Sequence, residues 1–158
     1  MIDLKNWKMT AGINLYSALN IPLLAFVTPR VLELTSSRGV VRIRLDRRSR
    51  NHLGVMYFGA LAMGAELSIA LQALESIRAS GKRIDFIFKD FRAEFLKRAD
   101  GHAHFVCEDV AAIADMIRRA AEGRERLSET FKGYAVVPSK SESEPVMKYE
   151  LTLSVKRR

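Results

Sequence analysis

A chain of 158 residues holds one hydrophobic core of ordinary size and is too short for two. Its 48% hydrophobic and 28% charged residues exclude a disordered chain. A net charge of +8 with a pI near 9.9 favours an anionic partner but does not choose among nucleic acid, an acidic membrane surface and a phosphorylated small molecule. The one cysteine, Cys107, excludes an intrachain disulfide; it ends an alternating apolar stretch and is expected to be a small buried hydrophobe in a reducing compartment.

Residues 1–28 form the N-terminal helical segment. Lys5 and Lys8 ahead of the apolar run Ile21–Val27 imitate a signal peptide, yet Asn14, Asn20 and Pro22 interrupt the pattern, so a cytoplasmic protein is expected. A helix is predicted over 10–27, with Ile13, Tyr16, Leu19 or Asn20, and Leu23 at helical spacing and Pro22 disturbing its end. Strands follow at 31–34 and 41–45, where Val41, Ile43 and Leu45 alternate with Arg42 and Arg44, which should point away from the core.

Residues 55–79 make the central helix, starting between Met56 and Gly59 and stopped by Gly81. The segment is long enough to cross a bilayer, but Glu66, Gln72, Gly59 and Gly64 fit that badly. A helix apolar nearly all round is instead the buried centre of a fold, and no stable membrane insertion is expected.

Ile84, Phe86 and Phe88 alternate, and Phe91, Ala93 and Phe95 continue on the opposite parity, so a β-bulge is predicted at Lys89 and Asp90. A strand over 103–107 precedes a helix capped by Asp109, with Val110, Ile113, Ala114 and Ile117 as its apolar stripe. Strands over 128–137 and 147–155 flank a mobile turn at 138–145. The chain has no internal repeat, and 1–158 is expected to be one domain. The sum is an α+β pattern, an antiparallel sheet wrapped around a long central helix.

Glu66 is the one acid in the run from Asn51 to Leu71. An ionised carboxylate among apolar side chains is costly, so such a group either stays protonated, finds a partner, or has a task that depends on its surroundings. By themselves the residues leave an exposed stripe, an ion pair and a dimer contact open. His102 and His104 share one side of a strand, half of a metal site without a third ligand, and no metal is expected. The basic residues are spread over the chain without an aromatic-plus-basic motif, so no nucleic acid is expected.

Asn51-His52-Leu53-Gly54, Tyr57-Phe58-Gly59-Ala60 and Glu66 together resemble the signature of the hotdog-fold thioesterases of the phenylacetyl-CoA type, in an uncharacterised bacterial branch. The pattern there is Asn-x-x-Gly, a His-Gly-Gly-like triplet opening the helix, and an acid seven residues beyond the second glycine, a spacing kept between Gly59 and Glu66. Tyr57 stands where many members have histidine, and Phe58 where they have the first glycine. The likeness in element order extends from about Pro29 to Lys156.

The resemblance implies a hotdog fold and an acyl-CoA thioesterase. Glu66 is the expected base or nucleophile, the Phe58 and Gly59 amides the expected oxyanion site, and Asn51 an orienting amide. Plain capping by Asn51 and plain packing by Gly59 and Gly64 stand beside these roles. His52, Tyr57 and Met63 are candidates for substrate contact, and Lys82, Arg83 and Arg92 for the phosphates of coenzyme A, which enters as part of the substrate and not as a cofactor. Glu66 lies about 12 Å along the helix from Phe58, too far to share one carbonyl. The resemblance supplies the resolution, a homodimer or homotetramer in which carboxylate and helix tip come from opposite subunits across a two-fold axis.

Overall fold

The computed structural model describes residues 4–158. In chain order the elements are α1 (Leu4–Asn20), α2 (Pro22–Phe26), β1 (Arg30–Leu34), β2 (Gly39–Ile43), α3 (Phe58–Ser80), β3 (Ile84–Phe95), β4 (Ala103–Cys107), α4 (Val110–Glu122), β5 (Leu127–Val137) and β6 (Ser141–Arg157). Six strands form one antiparallel sheet in the order β1-β2-β4-β5-β6-β3. The sheet closes on α3, which packs against β2, β4, β5 and β6, with α4 beside it.

Burial of α3 explains its composition. Eleven of its 23 residues are buried, among them Ala65, Ile69 and Ala73, so small side chains are what let the sheet close on it. It is long and apolar enough to cross a membrane, but 61% of its apolar window is covered by the rest of the fold. At its end Gly81 adopts φ 64°, the left-handed conformation a glycine reaches without steric cost, and its N–H returns to the Arg78 carbonyl.

The parity change in β3 is the predicted bulge: its register against β6 shifts between Phe88 and Asp90. Other boundaries move. The stretch 138–145 is not a mobile turn, because the chain reverses over Pro138–Lys140 and β6 already begins at Ser141, with Ser141 opposite Val137. In α4 the buried stripe is Val110, Ile113, Met116, Ile117 and Ala120, and Ala114 is exposed. Asp109 stands at the N-cap without a side-chain capping bond, its carboxylate accepting the Lys132 N–H at 2.7 Å and tying α4 to β5. Leu45 lies beyond β2.

Arg42 does lie on the outer face of β2, yet it is only half exposed. It stands between Arg30 of β1 and His104 of β4 in the cross-strand register, and its Nε is shielded without an acceptor among the described residues. Desolvation, followed by the neighbouring Arg30 and Arg44 charges, holds its pKa below the ordinary guanidinium value.

The N-terminal segment departs furthest from the sequence expectation. The helix begins at Leu4 and breaks at Ile21, where Pro22 opens the short α2. Of the expected stripe only Ile13 turns inward; Tyr16, Leu19 and Leu23 are exposed. The cause is the neighbour. β1 is an edge strand, and α1 lies along it with polar groups inward: Asn6 Nδ2 donates to the Leu32 carbonyl at 2.7 Å, the Thr10 hydroxyl accepts the Val31 N–H at 3.0 Å, and Asn14 Nδ2 donates to the Pro29 carbonyl at 2.9 Å. Open main-chain groups at a sheet edge need hydrogen-bonding partners, and α1 supplies them.

Candidate functional site

Glu66 lies on α3 two turns from its start, half-buried in a groove of about 1040 Å³. α3 forms the floor with Met63, Leu67 and Ala70; Met9 and Ile13 of α1 make one wall, and Phe86, Phe88 and Phe91 of β3 the other. No hydrogen bond or ion pair to Glu66 occurs among the described residues, and desolvation raises its pKa above the ordinary carboxylate value. The groove therefore holds a carboxylate that keeps a proton to higher pH than usual and has a free oxygen to exchange it.

The tip of α3 is assembled by the preceding loop. Asn51 Oδ1 accepts the N–H groups of Leu53 at 2.9 Å and Val55 at 3.3 Å, and its carbonyl accepts the Gly54 N–H at 3.0 Å. Gly54 has φ 77°, which only glycine adopts without strain, so Asn-x-x-Gly works here as a loop staple. The loop is anchored to its surroundings by the Tyr57 N–H on the Ser49 carbonyl at 2.7 Å and the Met56 N–H on the Ala99 carbonyl at 2.9 Å. Ser49, buried and not singled out from the sequence, ties this end together through its hydroxyl, which donates to the Arg44 carbonyl and accepts the Asp46 N–H.

The Leu61 N–H reaches the Tyr57 carbonyl at 3.1 Å, so the amides of Phe58, Gly59 and Ala60 precede the first intrahelical bond, and no side chain caps them from Tyr57. They carry the positive end of a 23-residue helix. Aromatic rings crowd them. Tyr57 and Phe58 meet edge to face at 5.2 Å, Phe58 meets Phe95 of β3 at 6.5 Å, and a Cβ on Gly59 would lie 2.5 Å from the Tyr57 ring. Gly59 is thus the residue that lets Tyr57 fold over the helix tip.

The remaining candidates are scattered. Met63 lines the groove beside Glu66. His52 is exposed on the loop. Lys82 and Arg83 are exposed just beyond the far end of α3, about 33 Å from its tip. Arg92 is exposed on the outer face of the sheet, opposite Glu150 and, through it, Lys132, whereas the adjacent row of Phe91, Leu151 and Phe131 faces inward. Within one chain the three cations do not converge. Among the described residues no three His, Cys, Asp or Glu side chains come together as metal ligands, and His102 Nδ1 already accepts the Leu45 N–H at 3.0 Å. Cys107 is fully buried, and burial pushes its thiol up to about 12. Of the α1 wall, Ile13 belongs to the predicted helix stripe, whereas Met9, ahead of the helix predicted over 10–27, had no signal in the sequence.

Comparison with solved structures gives the fold. A protein of unknown function from Chlorobaculum tepidum superposes with a TM-score of 0.81 at 9% identity, over 97% of each chain. A Pseudomonas aeruginosa protein described as a probable thioesterase gives 0.73 at 20% identity, over 94% of this chain and 96% of that one. A thioesterase from Haemophilus influenzae gives 0.66 at 14% identity, over 92% and 90%. At such identities the likeness establishes the fold, and that fold is the hotdog of thioesterase-like proteins, as the sequence resemblance implied. Residues 12–155 match the family described as a domain of unknown function, DUF4442, and the chain belongs to that family. No curated protein matches it in sequence.

Proposed function

We propose that this chain hydrolyses acyl thioesters, acyl-CoA among them, with Glu66 as general base or nucleophile. The observation that carries this is a desolvated carboxylate without a partner among the described residues, set in an apolar groove wide enough for an acyl chain. As base, Glu66 takes a proton from water as the water oxygen bonds to the thioester carbon; the tetrahedral oxyanion is held by the Phe58 and Gly59 amides. Collapse breaks the C–S bond, the proton passes to the departing thiolate, and a carboxylic acid and a thiol leave.

Because Glu66 and Phe58 are about 12 Å apart on one helix, the two halves come from different subunits. The free edge of β3 supports such pairing: it is twelve residues long and exposes Ile87, Phe91 and Phe95, Ile87 to 58%. An unpaired apolar edge of that length is an association surface. Phe95 touches Phe58, so pairing along β3 would bring a second chain to the helix tip.

The aromatic crowding over that tip favours one rival, a noncatalytic acyl or acyl-CoA binding protein with the same groove. A panel of acyl-CoA thioesters of differing chain length, assayed for free thiol with wild type and Glu66→Gln, separates the two. Hydrolysis is expected in the wild type, with kcat reduced about 100-fold or more in the variant. Bound but unhydrolysed thioester across the panel would establish the rival.

A further inference from the structure

The outward face of α1 answers to nothing in the thioesterase reading. With its polar side chains spent on the edge of β1, the helix turns Leu4, Trp7, Ala11, Leu15, Ala18 and Leu19 to solvent, spaced by three and four residues along one stripe. The exposure is large, 57% for Trp7 and 75% for Leu19, and α2 extends the patch with Leu23 and Phe26. A contiguous apolar surface of this kind marks an interaction site.

Charge selects the occupant. Between Asp3 and Glu33 the sequence contains Lys5, Lys8 and Arg30 and no acid at all. Neither α1 nor α2 contains an acid, so a second copy packed symmetrically on this face brings Lys8 no carboxylate from these two helices. An anionic lipid surface supplies both requirements, acyl tails for the leucines and phosphate headgroups for the exposed Lys8 in a chain of net charge +8, while a tryptophan beside a lysine suits the headgroup level. The same helix walls the groove, which Lys8 and Tyr16 line, so the surface is continuous with the apolar channel to Glu66.

We infer that the outer face of α1 and α2 is a peripheral membrane surface that adsorbs in the headgroup plane of an anionic bilayer. Its contact requires neither turnover nor Glu66, and it brings the mouth of the groove to the lipid.

Trp7 is the only tryptophan in the chain, so its emission reports on this face alone. Adding vesicles of phosphatidylcholine and phosphatidylglycerol in equal parts should shift that emission to the blue and carry the protein into the pellet on sedimentation, an effect that high salt weakens. Pure phosphatidylcholine should bind far less. Lys8→Glu should lower partition by at least about tenfold. Leu15→Glu combined with Leu19→Glu, both on exposed sites outside the groove lining, should abolish it with the circular dichroism and Tm of the wild type retained. Unchanged emission and a soluble protein with either vesicle overturn the inference. So does equal binding to phosphatidylcholine, or an emission already blue without lipid that reverts on dilution, the signature of a second copy on this face.

Discussion

Gly64→Ala probes the packing of α3 on β4, two residues before Glu66. A Cβ built on Gly64 would lie 2.2 Å from Cε2, 2.3 Å from Cζ and 2.4 Å from Cδ2 of Phe105, a ring in β4 that is wholly buried. Carbon atoms at ease sit about 3.5–4 Å apart, so ring or helix has to yield by more than an ångström in a core packed on every side. Overpacking of that severity costs about 3 kcal/mol. Alanine returns about 1 kcal/mol of helix propensity, leaving a net loss of about 2 kcal/mol. For a chain of 158 residues that corresponds to roughly 4–8 °C in Tm. The assay is thermal or urea unfolding of the wild type, Gly64→Ala, Phe105→Leu and the double variant. Trimming the ring should recover at least about 1 kcal/mol of the alanine penalty as a coupling energy. A Gly64→Ala protein as stable as the wild type or more so, the result propensity alone demands, would refute close packing of α3 on β4 at this point.

Two further outcomes follow from titratable groups. Cys107, buried and with its thiol pushed up to about 12, should resist a thiol reagent at pH 8 in the native protein and react fully once unfolded, whereas fast native labelling would place it at the surface. Glu66 has a folded-state pKa above its unfolded value of about 4.3, so the folded state binds the proton more tightly and its relative stabilisation is present below that value and lost as pH rises through the raised pKa. Glu66→Gln should therefore gain stability over the wild type with increasing pH across that interval, measured as the difference in urea midpoints; a difference that is flat in pH would mean the carboxylate is not desolvated. The same shift places the acid limb of the proposed hydrolysis above the ordinary carboxylate range, since the base works ionised.

The core of the fold was legible because its signals are local and agree with one another. The central helix carries its length, its apolar character and its glycine stop within one segment, and the β3 bulge shows as a change of parity between Phe88 and Phe91. Glu66 was conspicuous for the same reason, a charge where the pattern wants none. What surrounds it was not legible. The groove is closed by Met9 and Ile13 from a helix more than fifty residues upstream, and nothing in either segment records that they meet. Asn51 shows the opposite case: its type and its spacing to Gly54 were visible, but only the hydrogen bonds reveal that its amide oxygen is committed to the loop.

The inverted α1 gives the physical limit of periodicity as a guide. Hydrophobic spacing predicts which side chains share a face, and here the expected stripe is divided, Ile13 turning inward while Tyr16, Leu19 and Leu23 are exposed, and the row that shares the outer face is Leu4, Trp7, Ala11, Leu15 and Leu19. That the face is the inner one is a separate assumption, valid only when the core offers the helix apolar surface. Beside an unpaired strand edge the balance reverses. Leaving the Val31 amide and the Leu32 and Pro29 carbonyls without partners costs about 1–3 kcal/mol each where water is excluded, comparable with what burying a leucine returns. Asn6, Thr10 and Asn14 turn inward for that reason, and the leucines are displaced outward as a consequence. An apolar stripe that shares its helix with asparagine and threonine at the same spacing thus has two solutions, and the one adopted depends on whether the neighbouring element is a finished sheet face or an open edge.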